Sequence, residues 1–212
     1  MRHDEENEVE SLKSELVSAI HFLYLQGWAP ATSSNYSFRD PMKNQYWISR
    51  SGVNKEAFFA EQLMAIDAKG EPVYEKSQRS SAETLLHTML YENPGTNAVL
   101  HTHSVNNTVL SLLHEQEGSV SFTGFELQKG IQNVTDHNAI LKVPVFRNSQ
   151  DIAFLSDEVR NYYHKNPGMT AFLLAGHGLY TWGPNIAVAR RHVEVFEFLF
   201  ECKLKLKQYG NP

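Results

Sequence analysis

The stretch "NAVLHTHSVNN", residues 97–107, decides how the rest of the chain is read. It begins as an apolar strand and ends on two histidines one residue apart. Successive strand side chains point to opposite faces, so His101 and His103 face the same way and Thr102 faces the other. Two imidazoles side by side are either half-exposed polar residues or two ligands of one metal ion. The segment that follows, "SVNNTVLSLLHEQ", reads as a helix, which makes residues 97–103 a central strand of an α/β pattern.

Working outward, residues 5–27 carry Val9, Leu12, Leu16, Ile20 and Leu23 at helical spacing, with Gly27 as the stop. The turn-rich "APATSSNYSF" leads into strand-like "SNYSFRD" and "QYWISRSG". "EQLMAID" reads as a strand or short helix before a turn at Lys69–Gly70. Residues 81–92 form a helical pattern closed by "NPG". "AILKVPVF" reads as a strand in which Pro144 signals an edge or a bulge. An amphipathic helix over 149–168 and two strands joined at Gly176–His177–Gly178 come next. A long helix over 184–208, with Ile186, Ala189, Val193, Phe196 and Leu199 on one side, completes the pattern. Strands interleaved with helices imply α/β layering around one sheet. No repeat or linker divides the chain, so 1–212 reads as one domain.

Composition narrows the function. A formal net charge of −5 argues against nonspecific nucleic-acid binding, which needs basic stripes. No apolar run approaches the roughly 18–20 residues of a membrane span. The acidic start "MRHDEENEVESLK" lacks a signal peptide's apolar segment, and the single cysteine, Cys202, fits a reducing cytoplasm. Ten histidines are many for this length and point weakly to metal or acid–base chemistry.

Several residues could carry that chemistry. A tetrahedral zinc site takes neutral imidazoles at about 2.0–2.1 Å, and catalytic sites commonly use three protein ligands. His101 and His103 would supply a stiff pair. His177, flanked by two glycines in "AGHGLYTWG", is either the tip of a tight hairpin or a third ligand projecting toward the pair. Glu83 has two readings. In the first, Ser80-Ser81-Ala82-Glu83 is a capping box with Ser80 as N-cap. In the second, Glu83 and His87 share a helix face near a metal. The same helix start, with Ser80 and Ser81, could hold an anion, as could "SRSGVNK" (49–55), where Lys55 adds charge. Glu126, between Phe125 and Leu127, has an apolar setting of the kind that raises a carboxyl pKa, or simply faces solvent.

Taken in order, "TSSNYS", "ISRSGVNK", "SSAETLLH", "NAVLHTHS" and "GHGLYTWG" resemble the class II (zinc) aldolase family over about residues 10–208. The resemblance implies a three-layer α/β/α domain around a mostly antiparallel sheet. It implies one Zn2+ per chain on His101, His103 and His177, and a sugar-phosphate substrate whose phosphate meets Ser51, Gly52, Ser81 and the Ser34–Asn35 turn. Lys55 follows the same "SGVxK" element. "FELQKGI" resembles the segment in which the family's dehydratases carry a general acid/base glutamate, here Glu126. Glu83 matches the catalytic or metal-approaching glutamate of the sugar-phosphate aldolases, which keeps aldol cleavage as the alternative. The family's usual glycine before the asparagine is Ser34 here. A binding module without chemistry, like the adducin head, is disfavoured because all three histidines are present. The family further implies a homotetramer with sites at subunit interfaces.

Overall fold

The computed structural model describes residues 2–75, 77 and 80–210; the first residue and the last two of the expected 1–212 span lie outside the described residues. Five α-helices and eight strands are found among them. Helix α1 spans Arg2–Leu25, followed by β1 (Asn35–Arg39), β2 (Tyr46–Ser49) and β3 (Leu63–Ile66). Next come α2 (Thr84–Leu90), β4 (Ala98–Thr102), α3 (Val105–Leu113), β5 (Ser119–Phe122) and β6 (Leu141–Phe146). Helix α4 (Ile152–Lys165), β7 (Ala171–Leu174), β8 (Gly178–Gly183) and α5 (Ile186–Gln208) close the chain. None of the helices among the described residues is long and apolar enough to cross a membrane.

The strands form one sheet in the order β3-β2-β1-β4-β8-β7-β6-β5, with β4 in its middle. β6 and β7 run parallel while the other neighbours pair antiparallel, so the sheet is mixed. One parallel pair among otherwise antiparallel neighbours refines the expected mostly antiparallel sheet to a mixed one. Two further expectations change. Residues 119–122 form a strand that the pattern "SVSF" is too short to announce. Pro144 marks neither an edge nor a bulge: β6 pairs with β5 up to Pro144 and with β7 from Val145 onward. The missing N–H therefore falls where hydrogen bonding passes from one neighbour to the other.

Helix α1 ends as its sequence requires. Gly27 adopts φ +77°, Gly27 N donates to Tyr24 O and Trp28 N to Leu23 O, a Schellman closure. α3, α4 and α5 begin with Ser104, Asp151 and Asn185, whose side chains accept from the third residue on. Strand β4 shows how the core sorts by alternation. Ala98 and Leu100 pack with Leu16 and Ile20 of α1 and Ala189 and Val193 of α5. Val99, on the other face, packs with Leu86 and Met89 of α2 and Leu155 and Val159 of α4. His101 follows on the Val99 face.

β4 and β8 pair from Ala98–Gly183 to Thr102–Leu179, and at the next position, Gly178, there is no room for a side chain. A Cβ there would lie 2.2 Å from Thr102 O and 2.9 Å from His101 Cε1. Gly178→Ala should therefore force the two strands apart and destabilise the fold by about 3 kcal/mol or more, at the upper end for overpacking. Gly168→Ala, where nothing lies within 4 Å, is the control and should melt within about 0.5 kcal/mol of the parent. Equal denaturation midpoints for the two variants would contradict the close approach.

Candidate functional site

The antiparallel register places Asn35 of β1 and Tyr180 of β8 on either side of His101. The three side chains form a row across the sheet. His101 is fully buried and stacks on Tyr180, ring centroids 3.9 Å apart and 13° from parallel; Tyr180 stacks in turn on Phe172. His101 Nδ1 lies 2.9 Å from Leu179 O. A carbonyl only accepts, so the proton sits on Nδ1 and the Nε2 lone pair is bare.

His177 leaves the β7–β8 turn, where Gly176 has φ +65°, and its Nε2 comes within 3.3 Å of His101 Nε2. Its Nδ1 faces Asn148 Oδ1 at 3.3 Å, while the same Nε2 also faces a carboxylate, that of Glu83. His103 stands just past the end of β4, its N–H donating to Trp28 O at 2.8 Å. The three rings contribute ligand atoms that all lie within 4.8 Å of one another. Burial, with His103 and His177 as neighbours, holds His101 well below the ordinary imidazole range. Burial also brings His103 down to about 4. At neutral pH these two rings are unprotonated bases.

Glu83 completes the cluster. Its Oε1 lies 3.0 Å from His177 Nε2 and its Oε2 3.6 Å from His101 Nε2. Asn35 Nδ2 and Tyr180 Oη both donate to Oε2. Burial pushes the carboxyl up, but the hydrogen bond and charge of His177, aided by His103 and His87, outweigh it and leave Glu83 below its ordinary range. Three imidazoles whose ligand atoms converge, with a carboxylate beside them, form a donor set for a cation, and nitrogens with an oxygen suit a borderline metal ion. The residues therefore fit the metal that the sequence implies.

The capping-box reading of Glu83 is corrected. α2 starts at Thr84 with Glu83 itself in the cap position and no side-chain cap bond; Ser80 Oγ donates to Gly70 O, and Ser81 Oγ accepts from Glu83 N. Glu83 is thereby free to turn toward the histidines. His87 is close but turned away, fully buried with Nδ1 2.8 Å from Ser37 Oγ.

Ser34, Asn35, Ser51, Gly52 and Ser81 line one cavity of about 140 Å³, and its wall continues into Glu83 and His103. Ser34 sits at φ +73°, the left-handed region that glycine occupies freely and a serine only at roughly 1 kcal/mol or more of strain. That geometry is the physical content of the family's glycine at this position. Asn35 spends its amide on Glu83 and Ser34 Oγ donates to Trp28 O, so within this cavity the Ser51 and Ser81 hydroxyls and the Gly52 backbone face an incoming anion. Lys55 is fully buried nearby, Nζ 2.9 Å from Val53 O and 5.9 Å from the Phe58 ring centroid, with no carboxylate at ion-pair distance among the described residues. Its charge reaches His103, which lines the cavity.

Glu126 is placed elsewhere. It starts a 3-10 turn (Glu126–Gly130), is 71% exposed and contacts Lys129 and His137 rather than the three histidines. The expectation of an apolar setting that raises its pKa is corrected: the Lys129 hydrogen bond outweighs the small opposing effect of burial and holds the carboxyl below its ordinary range. Two site residues escaped the sequence reading, Tyr180 and Asn148. The signal for Tyr180 was its pairing opposite His101, which needs the strand register; Asn148 carried none.

The chain belongs to the class II aldolase and adducin N-terminal domain family, whose model matches residues 14–204. It is 48% identical over 191 residues to methylthioribulose-1-phosphate dehydratase from Marinobacter nauticus, covering 90% of this chain and 91% of that one. A protein of the same name from Pseudomonas fluorescens is 45% identical over 203 residues, 95% of this chain and 96% of its own. Among solved structures, L-fuculose-1-phosphate aldolase from Thermus thermophilus superposes with TM-score 0.75 at 22% identity, covering 96% of this chain and 98% of that one. A sugar-phosphate aldolase from Thermotoga maritima gives 0.72 at 16%, covering 97% and 98%; both share the fold.

Burial lowers the Lys55 ammonium from 10.5 to about 8. The folded chain therefore holds fewer protons than the unfolded chain between those values, and stability contributed at this position rises with pH across that window. Lys55→Met should melt higher than the parent at pH 7, and the gap should narrow between pH 8 and 10.5. If the lysine serves an anion, the same change should weaken binding of a phosphorylated ligand. Thermal melts across that pH range and phosphate titration read the two effects separately.

Proposed function

We propose that this chain is a methylthioribulose-1-phosphate dehydratase, converting 5-methylthioribulose 1-phosphate to 2,3-diketo-5-methylthiopentyl 1-phosphate and water. The carrying observation is the 45–48% identity, along nine-tenths of each chain, to relatives of that name. The reaction belongs to methionine salvage, and we place the enzyme in the cytoplasm as a single class II aldolase-like domain with α/β/α layering, assembled into a homotetramer with sites at subunit interfaces. Nucleic acid and membrane are not among its partners.

His101, His103 and His177 would hold one zinc ion, which when bound supplies Lewis-acid polarisation of the substrate carbonyl. The phosphate lies in the cavity of Ser34, Asn35, Ser51, Gly52 and Ser81, with Lys55 as its positive charge, and remote binding energy there positions the reacting carbons. Dehydration removes the proton from carbon 3 and the hydroxyl from carbon 4. Glu126 is assigned as the general acid/base that takes that proton or protonates the departing hydroxyl. Its exposure in the isolated chain leaves it open to be enclosed when subunits and substrate assemble. Asn35 and Tyr180 hold Glu83 aimed at the metal position.

Aldol cleavage is the second reading, because Glu83 and not Glu126 is the carboxylate among the histidines. Product mass separates them: dehydration yields one product lighter by a water, cleavage yields two fragments. Glu126→Gln should keep zinc content and lower dehydration by roughly 10²–10⁴, the usual contribution of a positioned acid/base. Full activity in that variant would transfer the role to Glu83. His177→Ala should strip most of the zinc while His164→Ala, at an exposed position, leaves it unchanged.

A further inference from the structure

His103 stands one residue beyond the end of β4, outside the strand ladder that holds His101. Its support comes from the opposite side of the sheet. Glu197 of α5, 2% exposed, divides its two carboxylate oxygens between the residues that flank His103. Oε2 accepts from Ser104 Oγ at 2.6 Å, and Oε1 accepts from Asn107 Nδ2 at 2.9 Å. The same Asn107 amide donates to Thr102 O at 3.2 Å, and Asn107 N donates to Ser104 Oγ at 2.9 Å. One carboxylate thus ties down the residue before His103 through Asn107 and the residue after it directly.

Nothing in the packing requires an acid here. No cation lies at ion-pair distance from Glu197 among the described residues, and its neighbours along α5, Phe196, Leu199 and Phe200, belong to an apolar cluster. An unpaired buried carboxylate opposes stability, and an apolar residue of similar volume is often the more stable choice. Burial pushes the Glu197 carboxyl up to about 7, although both hydrogen bonds favour its charged form. What the acid supplies that an apolar residue cannot is the pair of acceptors that fixes the Thr102–Ser104 backbone. Residues one step removed from a metal commonly set its affinity by orienting the ligands.

We infer that Glu197 is a positioning residue for His103, holding the imidazole where it meets His101 and His177. This rests on the reading of the three histidines as metal ligands. The test is zinc affinity by competition with a fluorescent chelator, alongside thermal melts of the zinc-free proteins. Glu197→Leu keeps the volume and removes both acceptors. Its zinc affinity should fall by about 10–100-fold, while Glu197→Gln, which keeps an acceptor for Asn107 and can donate to Ser104, stays within about 3-fold of the parent. Zinc affinity equal to the parent in folded Glu197→Leu, with only its melting temperature changed, would overturn the inference. Should that variant not fold, Ser104→Ala severs one arm of the bracket and must also weaken zinc; an unchanged affinity there overturns it equally. A wild-type chain that binds no zinc would instead overturn the metal-site reading beneath it.

Discussion

At Gly178 the backbone of β8 comes so near β4 that a single methyl group would sit 2.2 Å from Thr102 O. Much of the site geometry follows from that approach. It sets the register in which Tyr180 lies beside His101, and it puts His177, the residue just before Gly178, within 3.3 Å of the His101 ring nitrogen. It also fixes Thr102 O, to which the Glu197–Asn107 bracket is anchored. Two of the three histidines are therefore positioned by one strand pair, and the third by the short continuation of the same strand.

Three charged or ionisable side chains near this region, Lys55 and Glu197 buried and Glu83 partly so, stand where core packing alone would favour apolar residues. Glu83 lies among imidazoles, Lys55 has no carboxylate at ion-pair distance among the described residues, and Glu197 is held only by a hydroxyl and an amide. Each opposes stability through desolvation. Under the proposed function each would answer a chemical need, as an acid facing a metal ion, a cation facing a phosphate, and a bracket for a ligand-bearing backbone. Natural chains tolerate such groups at working sites because the apolar faces of α1, α2, α4 and α5 supply the compensating burial.

The same logic explains why Glu83 and Glu126 exchanged environments relative to their sequence contexts. Glu83 sits in a run that spells a capping box, yet the helix begins one residue after it and its carboxyl turns into the sheet. Glu126 is flanked by Phe125 and Leu127, yet it begins a 3-10 turn that points its carboxyl at Lys129 and leaves it in water. The immediately flanking residues set neither environment. The tertiary path of the backbone did.

The helices, most strands and the three-histidine set were legible in the sequence because each rests on short-range physics or on motif order. Helical spacing in α1 and α5, glycine at the close of α1, and the two-residue period that puts His101 and His103 on one face need no knowledge of the fold. The serines of the hydroxyl-lined cavity were legible through motif order, which stands in for spatial proximity. What depended on contacts far apart in the chain was not. The parallel β6–β7 pair, the handover of pairing at Pro144, Tyr180 beneath His101 and Glu197 behind His103 all join residues whose separation along the chain says nothing of their separation in space. Side-chain periodicity specifies which face a residue occupies, but strand order and register, fixed only when the sheet closes, decide which other residue it meets there.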